Sequence, residues 1–373
     1  MRRKIVDQPL KLFAISKQQS PDVETDDSNL EELLINEVGT NAFEFIKQHY
    51  GNSDDRRLII SSSNVFNINR IRNQSFDVIV NASKVNSISR INKFFEAVNG
   101  KLEIGGIYIG KAQTISERKR RIYKKYWRPI ADIRYFFDFL YTRVMPKVTG
   151  LKQIYFFITK GRRRVLSRAE VLGRLYSCGF TVIEETEVNN ELYFAVKKTG
   201  EPAYDMNPSY GPIFKMKRVG KDGKDLYVYK LRTMHPFAEY LQEYIHQINQ
   251  LQEGGKFHND FRINTLGRFF RKFWIDELPM LINLVRGDMK IVGVRPLSSQ
   301  YLSLYSIEMQ EYRLKFKPGL VPPFYYDLPK TIEEIQESER RYLQSYEKNP
   351  LLTDLKYFMG AFWNILFKKA RSS

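Results

Sequence analysis

Residues 271–296 read RKFWIDELPMLINLVRGDMKIVGVRP. An Arg-Lys pair leads to two adjacent carboxylates, Asp276 and Glu277. Pro279 follows, then an apolar turn from Met280 to Val285, a further acid at Asp288 and a short β-like run, Lys290 to Val294. The stretch closes on Arg295-Pro296. Carboxylates and guanidinium groups packed this densely are costly to bury unless each finds a partner. A phosphate, with or without a divalent metal, is the partner that suits both signs of charge.

The chain around this stretch has 373 residues, enough for two domains with a real core. Lys and Arg number 60 against 42 acids, a formal charge of +18. That excess favours an anionic partner: nucleic acid, an acidic membrane face or a phosphorylated substrate. The single cysteine, Cys178, excludes an intramolecular disulfide and fits a reducing compartment. The first residues, MRRKIVDQPLKLFAIS, make a poor signal peptide because Asp7, Gln8 and Lys11 interrupt the apolar part. Nowhere do 18 apolar residues run together, so no ordinary membrane span is expected, and attachment in the membrane surface stays open.

The N-terminal half alternates helical and strand patterns, which predicts a sheet with helices on its faces. A helix is expected over Asn29 to Tyr50, strands at Leu58 to Ser61 and Phe76 to Val80, and a helix from Ser87 to Val98. A strand-like LEIGGIYIG and a basic helix, Ser116 to Lys125, follow. Ser167 and Glu170 have capping-box spacing at the start of a helix that Gly179 ends. Two strands then pair across Asn189-Asn190. FDVIVNAS, LEIGGIYIG and SRAEVLGRLYSCGFTVIEE with LYFAVKK resemble the second half of a Rossmann-like methyltransferase. That family holds its cofactor on a glycine-rich turn after the first strand. Here SSSNVFN stands at that place, so the domain is expected to scaffold or bind and not to methylate. Between these pieces, residues 127–164 are rich in aromatics and arginine. They fit a membrane interface, or a core helix plus a strand IYFFI, and the core assignment is favoured.

A Pro/Gly-rich connector near residue 200 marks the domain boundary. Beyond it, Ile213 to Val219 and Asp225 to Leu231 form a predicted β-hairpin across Lys221-Asp222-Gly223, carrying Lys215, Arg218, Lys230 and Arg232. The ordered series GPIF, RVGKDGK, YKLRTM, NDFRI, GRFFRK, IDELPMLINLVRGDMKIVGVRP resembles the bacterial sugar transferases, or polyprenyl-phosphate phosphoglycosyl transferases. The resemblance implies transfer of a sugar phosphate from a nucleotide sugar, UDP-type, to polyprenyl phosphate at the cytoplasmic membrane face. It implies that Asp276 is the nucleophile that carries a covalent phosphosugar, and that Glu277 is its dyad partner. Mg²⁺ is the implied cofactor, with Asp276 and Glu277 as its ligands. Lys230, Arg232, Arg271 and Arg295 are implied in holding donor phosphates or nucleotide. Asp288 either joins them or shapes a turn.

Two departures stand out. The segment before the hairpin, EETEVNNELYFAVKKTGEPAYDMNPS, is too polar for the re-entrant membrane helix usual in the family. After KPGL the chain reads VPPFYYDLP, so the sugar is not specified. The last helix, LLTDLKYFMGAFWNILFKKARSS, fits an interfacial helix on anionic lipid or a docking helix; access to a lipid acceptor favours the former. The expected architecture is thus an α/β Rossmann-like, methyltransferase-like domain over 1–200 and an α+β phosphoglycosyl transferase domain over 201–373. The expected partners are a nucleotide-sugar donor, polyprenyl phosphate and an anionic membrane surface. No nucleic-acid motif is present, and oligomeric state is left open. The alternative from another class is a basic membrane-docking protein of glycan assembly that has lost catalysis.

Overall fold

A computed structural model describes residues 11–15, 27–50, 56–146, 148, 150–160, 162, 164–204, 211–248 and 260–367. The chain divides into two compact units. One comprises Met1–Tyr210 with His235–Ile248, the other Gly211–Met234 with Asn249–Ser373.

The first unit is built on strands β1 (Lys11–Ile15), β2 (Arg57–Ser61), β3 (Phe76–Lys84), β4 (Leu102–Ala112), β5 (Phe180–Val188) and β6 (Glu191–Lys198). Their order in the sheet is β1-β2-β3-β4-β6-β5. β2, β3 and β4 run parallel, and β6 lies antiparallel between β4 and β5. The apolar runs Leu58-Ile59-Ile60 and Val78-Ile79-Val80 are buried, as strands covered on both faces require. Asn189 and Asn190 both take positive φ, 51° and 59°, which gives the two-residue β5–β6 turn the twist of its strands. This unit is an α/β domain, as the alternation of helical and strand patterns predicts.

Three expectations are corrected here. The helix expected over Asn29 to Tyr50 is two helices, Asp27–Val38 and Thr40–Gln48, because Gly39 breaks it at φ 86°. IYFFI is not a strand but lies in the helix Leu151–Thr159, with Gly150 at its N-cap and left-handed Lys160 at its C-cap. Residues 127–164 are also not a core segment: Ile130, Ile133, Phe136, Phe137, Ile154, Phe157 and Ile158 are exposed. Ser167 Oγ accepts from Glu170 N at 3.1 Å, as the capping box requires. The buried Glu170 carboxylate itself receives Arg143 and Arg174. A reciprocal box forms instead between Thr114 and Glu117, at the head of the helix Ile115–Lys125.

The second unit opens on the antiparallel hairpin β7 (Ile213–Val219) and β8 (Asp225–Leu231), with the bounds and pairing the sequence predicts. Strands β9 (Lys290–Val292) and β10 (Gly319–Val321) pair in parallel. A Cβ on Gly319 would enter the backbone of Gly293, so both glycines are required by the closeness of the two strands. Helices Ile332–Lys348 and Pro350–Phe367 complete the unit, with Tyr342, Leu343 and Tyr357 in its core. This is the α+β architecture expected. Inside it, Arg313 Nε lies 3.2 Å from Glu339 Oε2, both side chains nearly inaccessible.

Two outcomes follow. Glu339→Ala strands the Arg313 charge in the core and should destabilise the unit by about 3–5 kcal/mol in urea unfolding. Cys178 is 1% exposed, and burial pushes its thiol up to about 12. It should therefore react with a thiol reagent at pH 8 only after denaturation.

Candidate active site

Strand β8 places Lys230 near its end, where alternation turns the ammonium toward the segment Ile275–Met280. That segment is a tight 3₁₀ turn containing Pro279. It is entered through Trp274, a non-glycine residue at φ 54° whose ring lies 5.4 Å from that of Tyr325. Asp276 and Glu277 occupy its first turn. Lys230 Nζ donates to Glu277 Oε1 at 2.7 Å, with both side chains only 17% exposed. Burial holds the Asp276 carboxyl above the usual carboxylate range. Lys230 pulls it back, Glu277 adds to the rise, and Arg271 again opposes it.

The Ile275–Met280 turn is fixed to the hairpin by Asn283, which is fully buried. Its Oδ1 accepts from Tyr229 N at 3.1 Å and its Nδ2 donates to Tyr227 O at 2.8 Å. Asn283 O also accepts from Asp288 N at 2.9 Å, and Asp288 Oδ2 lies 3.3 Å from Asn283 Nδ2. Asp288 is thus held in the turn after the helix Leu281–Val285, where it also faces Arg286 at 3.7 Å.

A cleft of about 160 Å³ opens beside the Lys230–Glu277 pair. Arg218, Arg295, Gly319 and Tyr325 contribute to its wall. Among the described residues neither Arg218 nor Arg295 makes an ion pair. Burial, and then the neighbouring Arg295, lower the Arg218 guanidinium from its usual value. Two like charges facing one cleft without a carboxylate partner favour an anion there. Arg295 is steadied by Phe324, whose ring lies 5.7 Å away, and its carbonyl accepts from Arg313 Nη2 at 2.6 Å.

The remaining basic candidates lie around this centre. Arg271 Nε donates to Thr233 Oγ1 at 2.9 Å, on the helix Thr265–Lys272, and Asp276 is among the charges acting on it. Arg232 Nε donates to Gly211 O at 3.0 Å, and its guanidinium lies over the Phe214 ring. Asp260 and Arg262 form the buried pair their spacing suggests, at 2.8 Å. Sequence reasoning passed over Asn283, whose signal is an isolated amide within the apolar run MLINLV, and the glycine pair Gly293 and Gly319.

Among the described residues no cluster of three or more acidic, His or Cys side chains could hold a metal by itself. Adjacent Asp276 and Glu277 offer two carboxylates, which suits an ion that binds one or two carboxylates and completes its shell with water and substrate phosphates. The residues fit such a substrate-bridged ion. Outside the cleft, Leu278, Leu281, Ile282 and Val285 are exposed, so the segment that carries the acids presents an apolar outer face.

The model of one family, described as bacterial sugar transferase, matches residues 204–368. A galactosyl transferase, CpsE, of Streptococcus agalactiae is 32% identical over 165 residues, 44% of this chain and 34% of that protein. The undecaprenyl-phosphate galactose phosphotransferase of Salmonella typhimurium is 37% identical over 134 residues, 35% of this chain and 26% of that protein. The UDP-glucose:undecaprenyl-phosphate glucose-1-phosphate transferase of Caulobacter vibrioides is 38% identical over 115 residues, 30% of this chain and 39% of that protein. The chain spans well under half the length of each of these relatives. A solved carbon methyltransferase, CurJ, covers 35% of this chain and 31% of its own at 16% identity, with a TM-score of 0.21, a likeness too slight to carry an argument. The C-terminal part of this chain carries a bacterial sugar transferase domain, over residues 204–368.

Proposed function

We propose that the C-terminal unit transfers a sugar phosphate from a nucleotide sugar to polyprenyl phosphate, in two steps through Asp276. The observation that carries this is the half-buried Asp276 carboxylate, next in the chain to Glu277, whose ion pair with Lys230 lines a cleft shared with Arg218 and Arg295. The names of the relatives, which act on undecaprenyl phosphate with galactose or glucose, support the substrate class.

In the first step an Asp276 oxygen attacks the phosphorus that bears the sugar. The bond from that phosphorus to the bridging oxygen breaks, and the nucleoside monophosphate leaves with the electron pair. Asp276 then carries the phosphosugar. In the second step an oxyanion of polyprenyl phosphate attacks the same phosphorus, the acyl-phosphate bond breaks, and the Asp276 carboxylate is restored. A carboxylate meets a phosphate only if the anionic charge is countered, and Arg218, Arg295 and Lys230 face the place where that charge gathers. Partial burial raises the basicity of Asp276 and strengthens it as a nucleophile. Glu277 holds Lys230 in place through their ion pair. Mg²⁺, held by Asp276, Glu277 and the donor phosphates, would supply further charge neutralisation when bound. The exposed Leu278, Leu281, Ile282 and Val285, and the exposed Trp363 and Phe367 of the last helix, suit contact with the lipid that presents the acceptor. No helix among the described residues is long and apolar enough to cross a membrane. The corresponding location is the cytoplasmic face of the inner membrane, with the chain attached at its surface.

Incubating the full chain with radiolabelled UDP-sugars and undecaprenyl phosphate should label the lipid with one sugar of the panel. Asp276→Asn should lower that turnover by about 10³-fold or more, and intact mass after mixing with donor alone should show a phosphosugar adduct on the wild type only. Undiminished turnover by Asp276→Asn would remove the nucleophile from the mechanism. Lys230→Met should cost about 10²-fold in kcat, as loss of one preorganised charge does. Asn283→Ala leaves the Tyr229 N–H and Tyr227 C=O without their partner. It should lower stability by about 1–3 kcal/mol and kcat with it, with KM for the donor less affected. A folded chain that transfers nothing across the panel would favour the non-catalytic docking protein instead.

A further inference from the structure

The N-terminal unit carries a surface that the transfer chemistry does not use. Residues 115–164 hold fifteen Lys and Arg against three Asp and Glu, two-thirds of the whole chain's net charge of +18. Two consecutive helices in this segment, Arg128–Phe139 and Leu151–Thr159, repeat one pattern. The first exposes Ile130, Ile133, Phe136 and Phe137, the second Leu151, Ile154, Phe157 and Ile158. Each set has spacing 3, 3, 1, so each forms one stripe along its helix. Phe157 is 82% exposed, and Trp127, at the N-cap of the first helix, is 75% exposed. Tyr141 and Tyr155 pack with ring centroids 5.4 Å apart and tie the segment together. Apolar side chains in such number on a strongly cationic segment gain nothing from water, and an isolated unit has no reason to leave them uncovered.

Beside the second helix is a cavity of about 240 Å³. Lys152 and Phe156 of that helix line it, with Arg90, Lys93 and Arg164. The buried Arg143 and Arg174, both bonded to Glu170, line it as well. Cationic side chains thus outnumber acids on its wall, which favours an anion there. Ser89 and Arg90 come from the loop after β3, and Leu166 bridges to Thr114 just past the carboxyl end of β4, the end of an α/β sheet at which ligands bind.

We propose that the helices Arg128–Phe139 and Leu151–Thr159 lay their apolar stripes into an anionic phospholipid bilayer, with lipid phosphate groups drawn into the basic cavity beside them. Charge complementarity selects the occupant. The dense cations require an anionic surface, and the apolar stripes require an apolar one beneath it, a combination that a bilayer interface supplies and a nucleic acid does not. The docking surface lies in the unit that lacks Asp276, and it stands whether or not the C-terminal unit transfers sugar.

The test uses the full chain with one reporter. Cys178 is buried, so Phe157→Cys introduces a single accessible thiol for an environment-sensitive fluorophore. Emission should shift to the blue and brighten on phosphatidylcholine vesicles containing phosphatidylglycerol, and stay near the aqueous value on phosphatidylcholine alone. Vesicle flotation of the unlabelled chain should weaken by about tenfold for Ile130→Ser with Ile133→Ser, whose side chains leave the core intact, and for Arg90→Gln with Lys93→Gln. Circular dichroism checks that each variant is folded. A chain that floats with the label still in water attaches elsewhere, through the last helix for instance, and overturns the proposal. A shift evoked by RNA or by inorganic phosphate without vesicles overturns it as well.

Discussion

One buried amide holds the candidate site together. Asn283 is bonded to the backbone of β8 on both its donor and its acceptor side, and its own carbonyl receives the Asp288 N–H. Besides that clamp, the hairpin and the segment that carries Asp276 and Glu277 meet through the Lys230–Glu277 pair, an Arg286–Tyr229 hydrogen bond and apolar contact among Val228, Met280 and Met289. Apolar packing is non-directional and tolerates a slip, whereas a side-chain amide paired with a strand edge fixes register. The 2.7 Å Lys230–Glu277 contact depends on that register, and so does the electrostatic setting of Asp276.

The site then balances its charges unevenly. Glu277 is matched by Lys230 and Asp260 by Arg262. Arg218 and Arg295 are left facing the cleft with their charge uncompensated among the described residues. A protein spends stability to keep like charges together, and it recovers that cost only when an anion arrives. In the first unit Arg143 and Arg174 both reach Glu170, beside the cavity proposed to take lipid phosphate.

Hairpin β7–β8 was legible because alternation and a Lys-Asp-Gly turn leave one register, and the turn residues do take positive φ at Asp222 and Gly223. The β5–β6 pair was legible for the same reason. IYFFI misled because a continuous apolar run has no period. Its helical state is decided by Gly150 and Lys160 at its ends and by the single buried Tyr155. Gly39 was overlooked inside an otherwise periodic run, and only its positive φ shows that two helices meet there.

The order of motifs, the adjacency of Asp276 and Glu277, the basic hairpin and the α/β pattern of the first half were all determined by the sequence, since each depends on residues close together in the chain. The tertiary structure alone decided that Lys230 meets Glu277 across 47 positions, that Asn283 clamps them, and that Gly293 and Gly319 touch. It alone decided that Trp127, Phe136, Phe137 and Phe157 face outward. Local patterning specifies which side of a helix is apolar, but whether another element covers that side is a property of the whole packed chain.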